Sequence, residues 1–171
     1  MAYIMVDIEA NGPVPSIYSM LSLGAVVVEP DLKRRFYTTF RPLNDNYDPN
    51  ALKTCKITVD QSKSFEDPKV AMEKFDKWLN SLDQIGLIFI SDNNGFDWQF
   101  VNWYFHNFLG RNPFGYSSTN LGSLYKGLAK NIKANFKGFR KLPHTHHALD
   151  DALSNADAML RIAEHFKIPI Y

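Results

Sequence analysis

One segment, Tyr3-Ile4-Met5-Val6-Asp7-Ile8-Glu9, constrains this chain more than any other: an apolar run that ends by presenting two carboxylates. Such a run, bounded by Asn11-Gly12-Pro13, predicts a buried strand. Residues two apart on a strand share a face, so Asp7 and Glu9 stand side by side, roughly 7 Å apart along the backbone. Two anions so placed need a counter-charge, and either one carboxyl takes up a proton or a cation holds both. Carboxylate oxygens are hard ligands that suit magnesium or manganese. A strand with one solvent-facing side gives the same alternation, so the pair becomes a site only if further acids join it from elsewhere in the chain.

The rest of the composition sets bounds. At 171 residues, 45% hydrophobic and 22% charged, the chain is long enough to bury one sizeable core and is expected to form a single domain over residues 1–171. The one cysteine, Cys55, has no internal partner, and the start of the sequence lacks the basic and apolar regions of a secretory leader, so a reducing, cytoplasmic setting is expected. The longest apolar candidates, Leu23 to Val28 and Gly86 to Ile90, fall far short of the roughly 20 residues that cross a bilayer, which argues against membrane insertion. A formal net charge of +1 neither announces nor excludes nucleic acid, because distribution matters more than the total. Here it is uneven: Lys126, Lys130, Lys133, Lys137, Arg140 and Lys141 follow one another with no acid between them.

Taken in order, Met20 to Val28 predicts a second strand and Phe36 to Arg41 a third. The short connections favour an antiparallel meander, since a parallel pair needs a longer crossover. Leu43 to Pro68 is rich in Asn, Asp, Pro and Lys and predicts loop, with a short helix near Pro49 to Lys53. Pro68 then starts a helix carrying Val70, Ala71, Phe75, Trp78, Leu79 and Leu82 at helical spacing, which serves as the crossover into the apolar strand Ile85 to Ile90. A turn, Ser91 to Gly95, leads to an aromatic-rich helix with Asp97 at its beginning. Gly110 to Ser118 reads as loop with a short strand. Leu121 to Ile132 reads as helix, its lysines continuing at spacings of three and four. The last helix begins near His147 and carries the clearest apolar stripe: Leu149, Ala152, Leu153, Ala156, Leu160, Ala163 and Phe166.

Three elements in this order now carry acids: Asp7 and Glu9, Asp97 within Asn93-Asn94-Gly95-Phe96-Asp97, and His146-His147-Ala148-Leu149-Asp150-Asp151. The set resembles the DEDDh group of 3′-to-5′ exonucleases. That group has Asp-x-Glu on the first strand, an Asp after a buried strand in a motif often written Asn-x-x-x-Phe-Asp, and His-x-x-x-x-Asp opening a late helix. Met20 to Val26 also resembles the group's second strand, and the likeness runs from Tyr3 to about Leu160. The resemblance implies a ribonuclease-H-like α/β fold: a mixed central sheet whose first three strands form an antiparallel meander, with helices on both faces.

It also implies roles. Asp7, Glu9, Asp97 and Asp151 would hold two Mg2+ or Mn2+ ions, with Asp7 shared between them, Glu9 and Asp151 completing the first ion and Asp97 serving the second. Such a pair supplies hydroxide at neutral pH and offsets charge on the leaving oxygen. His146 would take the proton of the attacking water, a task that suits imidazole near neutral pH. His147 is its rival, and four intervening residues before Asp151 favour His146. His144, His146 and His147 with distant Cys55 match no usual structural zinc spacing.

The implied partner is single-stranded nucleic acid, RNA or DNA, cut from its 3′ end to release nucleoside 5′-monophosphates; several similar enzymes are homodimers. Where many relatives carry a threonine pair, this chain has Ala10-Asn11 before Gly12, which leaves backbone N–H groups to meet the terminal nucleotide. Met20 and Leu21 sit where relatives place an apolar wedge, although ordinary strand core explains them equally well. Asn93 and Phe96 flank Asp97 as candidate substrate contacts, with aromatic rings nearby as stacking surfaces. Lys137 and Arg140 in the basic segment are candidate phosphate contacts. Two competing readings keep the fold: an endonuclease, against which the histidine motif speaks, and a catalytically silent nucleic-acid-binding module, whose expected mark, loss of one of the acids, is not seen.

Overall fold

Alternation along the first strand decides the architecture, because both of its faces are covered. The computed structural model describes residues 1–83 and 86–170. Strand β1 (Ala2–Ala10) runs antiparallel to β2 (Met20–Val27), which runs antiparallel to β3 (Arg35–Thr39). On its other side β1 pairs in parallel with β4 (Leu87–Ser91), and β4 with the short β5 (Ser118–Asn120). The sheet order is β3-β2-β1-β4-β5, so the expected meander and mixed sheet are both present. Ile85, expected to open β4, lies outside the described residues.

The parallel β1–β4 pair requires a crossover, and α3 (Pro68–Asn80) provides it, started by an Asp67 side chain that accepts from the Lys69 and Val70 N–H groups. Together with α4 (Asn94–Leu109) it covers one face of the sheet: Ile4, Val6 and Ile8 bury against Met72, Phe75 and Leu79 of α3 and Phe100, Val101 and Tyr104 of α4. Burial of one such side chain stabilises by about 1.5–3 kcal/mol. The opposite face belongs to α6 (Ala148–Phe166), whose Ala152, Ala156, Met159 and Ile162 bury with Met5, Val26 and Ile90. Met5, Asp7 and Glu9 therefore share the side on which α6 lies.

Three elements depart from expectation. A second short helix, α2 (Val59–Lys63), follows α1 (Pro49–Cys55), its entry fixed by a reciprocal capping box between Thr58 and Gln61. Helix α5 (Leu121–Leu128) stops well short of Ile132. Lys130 takes a left-handed conformation, while Asn131 and Asn135 accept from the N–H groups of Lys133 and Lys137, local bonds that compete with continued helix. Beyond Lys126, which lies in the last turn of α5, the lysines of the basic segment are consequently exposed on turns and loop rather than aligned along a helix. A 3-10 turn, Phe136–Phe139, then anchors the segment through buried Phe136.

Candidate active site

At the carboxyl end of β1 the strand pairing is adjusted to make room for a cleft. The β1–β2 register slips between Glu9 and Ala10, the kind of irregularity that re-aims side chains near functional sites. Asp7 lies opposite Gly24. A side chain at Gly24 would run into the backbone of Ala148 and Leu149, so glycine there lets the first turn of α6 rest directly on the sheet. Asp151, in that turn, is thereby brought over the β1 carboxylates. One oxygen each from Asp7, Glu9 and Asp151 lies within 4.8 Å of the others.

Asp97 comes from the other side. The end of β4 turns into α4, and the Asp97 carboxylate reaches across to β1, where Oδ1 accepts the Ile8 N–H at 3.1 Å. Its Oδ2 is buried and finds no hydrogen-bond partner among the described residues. An orphaned carboxylate oxygen beside three further acids fits a divalent cation, whose hard oxygen ligands these are.

The electrostatics carry the same message. Burial, then the charges of Asp97, Glu9, Asp92 and Asp151, hold the Asp7 carboxyl well above the usual range. Burial and neighbouring Asp92 push Asp97 up to about 8, and burial with Asp151 pushes Glu9 to about 7. A cation between them would reverse these shifts.

His146 is half-buried and held in a left-handed conformation, with φ of 59°. Its N–H donates to Asp151 Oδ2 at 2.9 Å, while the Thr145 N–H donates to Oδ1 at 2.8 Å. The acid thus fixes the backbone of the residue expected to act as base, and an uncommon φ so held is a mark of functional positioning. His147, the rival, faces away: its ring stacks on Tyr37 with centroids 4.7 Å apart, and its Nδ1 lies 3.4 Å from Asp150.

A cleft of about 330 Å³ is lined by Asp7, Glu9, Asp97 and His146, and also by Ala10, Asn93 and Phe96, three of the candidate substrate contacts. It also takes in Asp92, His144, Ala51 and Thr54, which sequence reasoning missed. Asp92 stands at the carboxyl end of the buried strand, and that position was the available signal; nothing local marks Ala51 or Thr54.

Several substrate candidates are engaged elsewhere. Asn11 is a clasp: its Oδ1 accepts the Ser19 N–H at 2.6 Å and its Nδ2 donates to the Asn46 carbonyl at 2.9 Å. Gly12 packs under the Tyr18 ring. Met20 and Leu21 are fully buried, Met20 in the core beneath α3 and α4 and Leu21 against Leu52 and Cys55, so neither forms a wedge at the cleft. Lys137 is exposed on the 3-10 turn, outside the residues lining the cleft.

Arg140 is not presented along the basic segment at all. Its side chain is 10% exposed, donates to Asp92 Oδ2 at 2.5 Å and to Asn155 Oδ1 at 2.9 Å, and lies over the Phe136 ring. It joins the end of β4 to α6, one turn beyond Asp151. Breaking a largely buried pair strands the remaining charge, so Arg140→Ala is expected to lower folding stability by about 3 kcal/mol. Denaturant unfolding checks this; an unchanged midpoint would show that the pair contributes nothing.

Comparison with known proteins gives a consistent picture. Residues 4–159 match the RNase T family, described as exonuclease. Over 131 residues the chain is 36% identical to the 3′-5′ DNA exonuclease Cap18 of Escherichia coli, covering 74% of this chain and 69% of that protein. Among solved structures, the nuclease domain of 3′hExo, a DEDDh family member bound to rAMP, superposes with a TM-score of 0.78 at 17% identity, covering 96% of this chain and 92% of that one. Cell-death related nuclease 4 also gives a TM-score of 0.78, at 16% identity, over 96% of this chain but 64% of its own length.

Proposed function

This chain belongs to the RNase T exonuclease family, and on that premise we propose that it is of the DEDDh type and removes nucleotides from the 3′ end of single-stranded DNA, releasing nucleoside 5′-monophosphates. The observation that carries the reading is the grouping of four buried or half-buried acids with His146 around one open cleft. Likeness at 36% identity to a DNA exonuclease favours DNA over RNA as the strand.

In this reading Asp7, Glu9 and Asp151 would hold one Mg2+ or Mn2+ ion and Asp7 with Asp97 a second. Bound there, such ions supply hydroxide at neutral pH and charge to meet the leaving oxygen. The chain's own residues do the rest. His146 takes the proton of the attacking water, oriented by its backbone bond to Asp151. Phe96 offers an apolar edge to the terminal nucleotide, and Asn93, whose side chain makes no cap bond to α4, offers it an amide. Burial excludes bulk water from Asp7 and Asp97, which strengthens every charge interaction in the cleft.

The test uses matched DNA and RNA oligomers and a circular single-stranded DNA. Mononucleotides released from the linear strands, DNA faster than RNA, with the circle intact, are expected. Cutting of the circle would assign an endonuclease instead, and binding without hydrolysis a silent module.

The exposed lysines of the basic segment supply the path for the strand beyond the cleft. Each phosphate neutralised on a single strand contributes about −0.7 to the log–log salt slope. The triple replacement of Lys133, Lys137 and Lys141 by Ala is therefore expected to flatten the slope for oligomer binding by roughly 2, with little effect on dinucleotide hydrolysis. An unaltered slope would assign these charges to solubility.

A further inference from the structure

The sequence His144-Thr145-His146 contributes two imidazoles to the cleft, and only one has a task in the reaction. The His144 Nδ1 lies 3.0 Å from Asp151 Oδ2, the rings of His144 and His146 meet edge to face with centroids 4.6 Å apart, and one nitrogen of each histidine and an Asp151 oxygen lie within 4.8 Å of one another. Asp151 is fully buried and pinned by the Thr145 and His146 N–H groups, while the His144 side chain is 39% exposed.

Two imidazoles and one carboxylate form a different kind of donor set from the acids beside them. Magnesium prefers all-oxygen surroundings, whereas nitrogen-rich sites suit zinc, which takes three protein ligands and leaves a fourth position open. With bonds of 2.0–2.2 Å, tetrahedral zinc sets neighbouring ligand atoms about 3.3 Å apart. The His144–Asp151 contact is already close to that spacing. The ion would take the place of the proton shared between them, and a modest turn of the His146 ring would complete the trio.

We propose that His144, His146 and Asp151 form an inhibitory site for zinc, distinct from the carboxylate cluster but sharing Asp151 with it. The inference rests on the functional reading above, since it is the capture of the general base and of one carboxylate that stops hydrolysis. His144 is then the residue that makes this cleft zinc-sensitive. The trio the structure assembles differs from the four residues the sequence raised: His147 lies against Tyr37 and Cys55 is buried against Leu21 and Leu52, while Asp151 joins His144 and His146.

Zinc binding is measured directly, by titration of Zn2+ against a chromophoric chelator, on metal-free wild type, Asp7→Asn, His144→Ala and His144→Gln. Wild type and Asp7→Asn should bind one Zn2+ with similar affinity, and both His144 variants at least about 100-fold more weakly, since loss of a ligand exceeds the 10–100-fold cost of losing an outer partner. In parallel, Zn2+ added at fixed Mg2+ should inhibit wild type at concentrations at least tenfold below those that inhibit the His144 variants, each compared with its own zinc-free rate. The two substitutions guard against a folding artefact, and unfolding midpoints identify any variant that is not native. Unchanged zinc affinity in a native His144 variant, or its loss in Asp7→Asn, would overturn the proposal, the latter by placing zinc among the carboxylates. Because binding is read without turnover, failure of the exonuclease reading leaves this test intact, and loss of exonuclease activity cannot be mistaken for loss of the zinc site.

Discussion

Asp7→Asn is expected to abolish nucleotide release while raising the melting temperature of the metal-free protein. The two effects have one cause. Asp7 is buried beside Asp97, Glu9, Asp92 and Asp151, and its carboxylate is tolerable only when a proton or a cation answers it. The amide keeps the shape and removes the charge, so the apo fold gains and the metal site is lost. A gain of about 1 kcal/mol corresponds to roughly 2–4 °C for a chain of this size.

The pH dependence follows with a definite sign. Burial and neighbouring acids push the Asp97 and Glu9 carboxyls up to about 8 and about 7 in the folded chain, against roughly 4 when unfolded. The folded state therefore holds more protons than the unfolded one between these values, and apo stability falls as pH rises from about 4 toward 8. Asp7→Asn should make that fall shallower, and added Mn2+ should reverse it. Thermal melts across this range in chelator check both; an apo protein that gains stability over the same interval would contradict the picture of mutually repelling buried acids.

His146→Ala is expected to lower the single-turnover rate by roughly 10²-fold to 10⁴-fold, the usual contribution of a general base. Mn2+ affinity and melting temperature should change little, because the bonds that fix Asp151 come from the backbone N–H groups of Thr145 and His146, which alanine keeps. His147→Ala should be almost silent, since that ring lies against Tyr37 and Asp150. His144→Ala should cost less than His146→Ala. If His144→Ala proves the crippled variant, the proton acceptor is His144 and the assignment of the motif is wrong.

The parts of this site legible in the sequence come from local period and from likeness together. Strand alternation pairs Asp7 with Glu9, and apolar period places Asp97 and Asp151 at helix starts, but it is the resemblance to the exonuclease motifs that singles out Asp97, Asp151 and His146 as members of one site. The meander and the crossover follow from connection lengths. What escaped the sequence depends on contacts between distant residues or on local bonds that outweigh spacing. Arg140 reads as one more charge in a basic run, yet its partner is Asp92, 48 positions away. His144 looks surplus until α6 is laid on Gly24 and Asp151 arrives beside it. The lysines after Leu128 keep a helical spacing that Asn131 and Asn135 override by capping turns of their own. Leu21, placed by likeness at the cleft, is drawn into the core by the buried side chains of α1.

The central claim is that Asp7, Glu9, Asp97 and Asp151 act together as a holder of two divalent ions. Equilibrium dialysis of Mn2+ against the wild-type chain, with a nucleoside 5′-monophosphate present to complete the coordination, tests it most directly. The account predicts two ions per chain, falling to one in Asp97→Asn. A wild-type count of one or none would contradict it.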